Sequence, residues 1–184
     1  MSATDISICS NALILLGHNP ISSFTEGGAG ATTAANLYTP TYESVLTAHP
    51  WRFAMGKKKL ARLVDTPLNE WAYAFQLPAD FLKAWKVYPH SNYEIYEDMI
   101  FSDQPELDLD YMFVPTEDRL PPYFIELMEF RLASKFAIPV TGNRSLADTY
   151  FSMFTDQLNR AQFLDSNGRP GDGIVDNPII ESRF

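Results

Sequence analysis

Apolar residues recur along this chain at two different spacings, and the change from one to the other falls at His49-Pro50-Trp51-Arg52-Phe53. Ahead of it, Ile6, Ile8, Cys9, Leu13 and Leu16 form a stripe at helical spacing. That stripe predicts a first helix over 4–16, with Thr4 as its cap, Asp5 at the positive end of the dipole and Gly17 as terminator. A loop follows over 18–30, with Ile21 and Phe24 as pins onto the core. Ala34, Ala35, Leu37, Tyr38, Tyr42, Val45 and Leu46 then predict a second helix over 31–48. Pro40 lies inside it, and an interior proline costs about 3 kcal/mol, so a kink is expected there, or a fresh start capped by Thr39.

Beyond Pro50 the apolar residues alternate. Short strands are predicted at 51–63, 71–77, 82–88, 93–97, 99–102 and 107–114, separated by turn residues. In the first, Trp51 and Phe53 stand two apart, so they share one face and anchor a sheet against helices. Asp98 is placed to turn a hairpin between Ile95 and Ile100. Leu120-Pro121-Pro122 opens a third helix, whose stripe is Phe124, Leu127, Met128, Leu132 and Phe136 and whose end is Ile138-Pro139. A fourth runs to about Asp165, capped by Ser145 with Asp148 three residues on, and buries Leu146, Tyr150, Met153, Phe154, Leu158 and Ala161. The short link between these helices makes them antiparallel neighbours. The expected fold is α+β: a four-helix bundle with an inserted small antiparallel sheet and an extended C-terminal arm. In that scheme 1–165 is one domain, with helices in 4–48 and 121–165 and the β region in 51–118, and 166–184 is the arm.

The arm holds three glycines and two prolines among nineteen residues, yet Ile174, Val175, Ile179, Ile180 and Phe184 are large and apolar. Five such side chains cannot offset the backbone entropy of the whole segment, so it is expected to order only on a partner surface, in a groove or at a sheet edge.

Charge narrows the function classes. With 14 Lys and Arg against 23 Asp and Glu, the chain carries a formal charge of −9, which disfavours nonspecific nucleic-acid binding. Nine of the acids fall between Asn92 and Asp118, a stretch with no Lys or Arg, and place negative charge on the β region. A single cysteine excludes an intrachain disulfide. No apolar run of about eighteen residues predicts a membrane span, and the start Met1-Ser2-Ala3-Thr4-Asp5 lacks a signal peptide's basic residues, so a cytoplasmic site of synthesis and assembly is expected.

Candidate chemistry is sparse. Asp108/Asp110 and Glu94/Asp98 have the look of an acid and base for sugar cleavage. The simpler reading of Asp108 and Asp110 is the solvated side of a strand whose other side is Leu107, Leu109 and Tyr111. Asp103, Glu106, Asp108 and Asp110 are hard oxygen donors for calcium, but the Asp-x-Asp-x-Asp-Gly loop is missing. His18, His49 and His90 make no metal spacing and read as loop or cap residues, Cys9 reads as core, and Gly27-Gly28-Ala29-Gly30 as a connector. No catalytic residue, metal site or cofactor is assigned. Lys57-Lys58-Lys59 with Arg62 is the one basic run.

The run Ala34 to Ala54, with Leu37-Tyr38-Thr39-Pro40, Val45-Leu46 and His49-Pro50-Trp51-Arg52-Phe53-Ala54, resembles the helix-to-strand passage of the tail tubular protein A family, head-to-tail adaptors of short-tailed phages. Ala72-Tyr73-Ala74-Phe75-Gln76-Leu77-Pro78-Ala79-Asp80-Phe81-Leu82 is similar to that family's aromatic strand followed by Leu-Pro-x-Asp. The order of Pro-Pro, helix, Pro-x-Thr-Gly, helix and Gly-Arg-Pro extends the likeness from about Ile8 to the C-terminus.

The resemblance implies a structural, non-enzymatic virion protein at the head–tail junction, forming a ring of twelve copies between portal protein and tail nozzle. Genomic DNA would pass through it without specific binding. On that reading Ile174, Val175, Ile179, Ile180 and Phe184 dock on the portal, and Lys57, Lys58, Lys59 and Arg62 face the acidic side of a neighbouring copy. Glu94, Glu97, Asp98, Asp108 and Asp110 form an acidic face or channel lining. The competing expectations are a virion-associated glycan hydrolase using paired carboxylates and the head-completion ring of a long-tailed phage.

Overall fold

A computed structural model of the chain describes residues 3–65, 67 and 70–167. It contains four helices, α1 (Asp5–Leu15), α2 (Gly28–Thr47), α3 (Pro122–Phe136) and α4 (Arg144–Asn167). Between α2 and α3 lie seven strands: β1 (Met55–Lys59), β2 (Ala61–Arg62), β3 (Tyr73–Gln76), β4 (Phe81–Tyr88), β5 (Tyr93–Tyr96), β6 (Met99–Ser102) and β7 (Asp108–Phe113). They form two antiparallel sheets, a first in the order β1-β7-β4 and a second in the order β2-β3-β6-β5.

This corrects the expected fold. The molecule is a mixed α+β protein, about 50% helix and 20% strand among the described residues, and not a four-helix bundle with one small sheet. The predicted strand 51–63 is divided in two. Residues Arg52–Ala54 make a 3-10 turn, and Leu60 separates β1 from β2, its N–H bonded to Leu107 O, before β2 pairs in the other sheet. The physical reason is coverage. Leu107, Leu109 and Tyr111 line one side of β7, and a single sheet would leave them wet. Phe75, Leu77 and Ile100 from the second sheet close over them, giving the strands an apolar core of their own.

The helical core forms around α3, where Phe124, Leu127, Met128, Leu132 and Phe136 are fully buried. Trp51 joins this core and not a strand face: it is 0% exposed, its Nε1 donates to Val45 O at 3.0 Å, and its ring meets Phe124 edge-on at 5.1 Å. Phe53 reaches the same ring at 4.8 Å from the 3-10 turn, so both aromatics anchor the passage by a route other than strand alternation.

Local chemistry explains most helix ends. Thr4 and Ser7 cap α1 reciprocally, each side chain accepting from the other's backbone N–H at 3.1 and 2.8 Å. α2 begins at Gly28, earlier than expected, after Gly27 turns the chain at φ +84°. It runs through Pro40 unbroken. Tyr38, Thr41, Tyr42, Val45 and Leu46 are all buried on its inner side, and that burial outweighs the lost hydrogen bond. α3 continues past Pro139 as a π-type turn, Ala137–Thr141, closed by Gly142 in the left-handed region at φ +66°. α4 is capped by Asn143, whose Oδ1 accepts from Leu146 N at 3.3 Å, and not by Ser145.

Candidate functional site

The β5–β6 hairpin positions a hollow lined by aromatic and acidic side chains. Ile95 pairs with Ile100 and Tyr96 with Met99, leaving Glu97-Asp98 as a two-residue turn. Glu97 takes the left-handed conformation at φ +55°, and Gln76 Nε2 holds the turn by donating to Asp98 Oδ2 at 2.8 Å. Strand alternation then sends Ile95 and Ile100 inward and Glu94, Tyr96, Met99 and Phe101 to the outer face.

On that outer face lies a hollow of about 960 Å³, floored by Ala74 and walled by Trp71, Tyr96, Met99 and Phe101. Glu94 sits between the rings. Its Oε2 accepts from Trp71 Nε1 at 3.0 Å and from the Tyr96 hydroxyl at 3.0 Å, and the Tyr96 and Phe101 rings meet at 5.9 Å and 65°. Asp65, Glu70 and Glu97 add three more carboxylates, and the described lining residues include no Lys or Arg. The Tyr96 phenol is held above its usual range by its hydrogen bond to Glu94 and by the Glu94 charge, with Glu70 adding to it. Aromatic faces beside a carboxylate held in place, as Glu94 is, suit a cation.

The five residues expected to form one acidic face are divided. Glu94 and Glu97 line this hollow. Asp98 lines, with Glu97 at the rim, a second one of about 590 Å³ beside Lys58, Lys59 and Phe81. Asp108 and Asp110 lie on the first sheet, opposite Lys59 and Lys57 in the β1–β7 register, and line neither hollow. The basic run is partly engaged within the chain. Lys57 Nζ is 3.3 Å from Asp110, and Lys59 Nζ bonds Glu106 at 2.8 Å, which raises the lysine and lowers the glutamate pKa. Lys58 is exposed, and the Arg62 guanidinium lies 4.8 Å from the Tyr73 ring centre. Ile174, Val175, Ile179, Ile180 and Phe184 lie outside the described residues.

Sequence reasoning misses two residues. Trp71, at the mouth of β3, gives no signal beyond its type. Asp165 does give one: it follows Gln157 and Ala161 at four-residue spacing on the inner side of α4, where a charge is out of place. Its side chain is 3% exposed. It accepts from Arg52 N–H at 3.1 and 3.3 Å and from the Tyr123 hydroxyl at 2.8 Å, with His49 Nε2 at 3.9 Å. Burial, and then this bond, push the Tyr123 phenol up. The carboxylate thereby fastens the last turn of α4 to the His-Pro-Trp-Arg passage.

Among the described residues no group of three or more His, Cys, Asp or Glu is placed to hold a metal ion. Among them, too, no helix is long and apolar enough to cross a membrane. No protein-family model matches the chain, and a comparison with curated proteins gives no match.

Proposed function

We propose that this protein is a ring-forming structural adaptor of a phage virion, seated between portal and tail nozzle, whose copies pack helix against helix and leave a passage for DNA. The observation that carries the reading is the burial pattern of α4. Its buried residues are Ala147, Gln157, Ala161 and Asp165, small or polar, while Phe151, Met153, Phe163 and Leu164 are 50%, 45%, 65% and 42% exposed. Leu146, Tyr150, Phe154 and Leu158 of α4 pack partly buried against the helical core, whereas Met153, expected to be buried with them, does not. The large apolar side chains left outward are short of a partner, since an aromatic side chain removes roughly 150–250 Å² from water when buried. Ile14 and Ile138, on other elements, are likewise 54% and 55% exposed. A head-to-tail contact through two different patches closes into a ring when its rotation allows. The net charge of −9 suits a wall past which DNA slides without sticking, and the order of motifs from about Ile8 to the C-terminus resembles that of tail tubular protein A adaptors.

The test is the mass of the full chain in solution, alone and with a portal ring. Closed species at a fixed multiple of 20.8 kDa are expected, twelve copies on the resemblance, and Phe151→Ser with Phe163→Ser should shift them to monomer while the circular dichroism stays unchanged. A chain that remains monomeric at high concentration with portal present overturns the reading. Removing residues 174–184 should abolish portal attachment, and attachment at the wild-type level would reject the arm's part in it.

A further inference from the structure

We propose that the hollow on the second sheet is a receptor for a cationic side chain, an arginine or lysine carried by an extended segment of a partner polypeptide. Trp71, Tyr96 and Phe101 supply π faces on which a guanidinium or ammonium group can lie. Glu94 supplies the countercharge, fixed in advance because the Trp71 indole and the Tyr96 hydroxyl both hold its Oε2. Its Oε1 accepts no hydrogen bond among the described residues and is left for an incoming N–H. Carboxylates at Asp65, Glu70 and Glu97, with no Lys or Arg among the described lining residues, set the sign of the ligand and exclude phosphate.

Two features make the occupant a polypeptide. Among the described residues β5 is an edge strand, paired only with β6, so backbone donors and acceptors along its other side can take up an added strand. Alternation then drops every second side chain of that strand toward the face where Glu94 and Tyr96 stand. The site lies within one protomer and does not depend on ring formation.

The test uses the full chain labelled with ¹⁵N and a capped valine-rich pentapeptide with arginine at its centre. The chain has three tryptophans, so its indole N–H spectrum has one reporter in the hollow, Trp71, and two outside it, Trp51 and Trp85. The arginine peptide should move the Trp71 signal alone with millimolar affinity, and its citrulline counterpart, neutral and of the same shape, should leave that signal in place. Glu94→Gln and Tyr96→Ala should each weaken binding at least fivefold, with unshifted Trp51 and Trp85 signals reporting an intact fold. Equal binding of the citrulline peptide, an unmoved Trp71 signal, or full affinity in Glu94→Gln would each overturn the proposal. Spermidine binding more tightly than either peptide would replace the polypeptide by a free polyamine.

Discussion

Replacing Asp165 by alanine is the sharpest perturbation of the packing described above, because two parts of the physics give opposite signs. In the last turn of an isolated helix an aspartate is unfavourable, facing the negative end of the dipole by about 0.3–1 kcal/mol and ranking below alanine in propensity. On helix physics alone, Asp165→Ala should stabilise the protein. In the tertiary structure the carboxylate is the acceptor for the Arg52 N–H and the Tyr123 hydroxyl. Stranding a buried donor costs about 1–3 kcal/mol. Tyr123 is only half-buried, so water recovers part of its share, and the net loss should be about 2–4 kcal/mol. Asp165→Asn keeps one carbonyl oxygen for the same donors and should lose about 1–2 kcal/mol. Tyr123→Phe should lose about 1 kcal/mol, and combining it with Asp165→Ala should fall short of additive by at least about 0.5 kcal/mol, since the two changes remove one shared bond. Urea unfolding followed by tryptophan fluorescence measures all four. If Asp165→Ala unfolds at or above the wild-type midpoint, the carboxylate is not a fastener of the α4 terminus.

The remaining predictions concern ionisable groups that burial shifts. The Glu129 carboxyl is raised by burial, against which its bond from Asn11 works, while Glu126 raises it further. Because the folded form holds its proton more tightly than the unfolded form, the ionised side chain costs stability at neutral pH, and that cost fades as the pH falls through the folded range. Glu129→Gln, which keeps an acceptor for Asn11 Nδ2, should therefore raise the Tm at pH 7 by up to about 2 °C after solvent screening and give no gain in acid. A gain that persists at low pH would show a cause other than charge. Cys9 is 0% exposed, and burial with the nearby Asp5 pushes its thiol up to about 12. Labelling by a disulfide reagent at pH 8 should be at least about 100-fold slower in the native protein than in urea, and rapid native labelling would mean that α1 opens locally.

Signals confined to a short stretch of chain are legible in the sequence. The Thr4 cap needs only Ser7 beside it, the α3 stripe needs only residues three and four apart, and the β5–β6 hairpin needs only the four residues from Ile95 to Asp98 and their flanks. Where the structure departs from the sequence pattern, a distant group intervenes. The penalty of Pro40 is overcome by the burial of Tyr42 and its hydroxyl bond to Pro115 O, seventy-three residues on. Asp165 reads as a plain helix end because the Arg52 N–H that needs it is likewise remote. The acids between Asn92 and Asp118 read as one surface, since a count of charges holds no register; pairing with β1 sets Asp110 against Lys57, while pairing with β6 sets Glu94 beside Phe101.

The sequence by itself determined where most helices and strands form, which side of each is apolar, and that the charge balance is acidic, because propensity, capping and periodicity act between residues close along the chain. Only the tertiary structure decided that the strands divide at Leu60 into two sheets, that α4 shows Phe151, Met153, Phe163 and Leu164 to solvent, and that Trp71, Glu94 and Tyr96 meet in a hollow. Those outcomes follow from which apolar faces cover one another, a competition among partners tens of residues apart that no local pattern records.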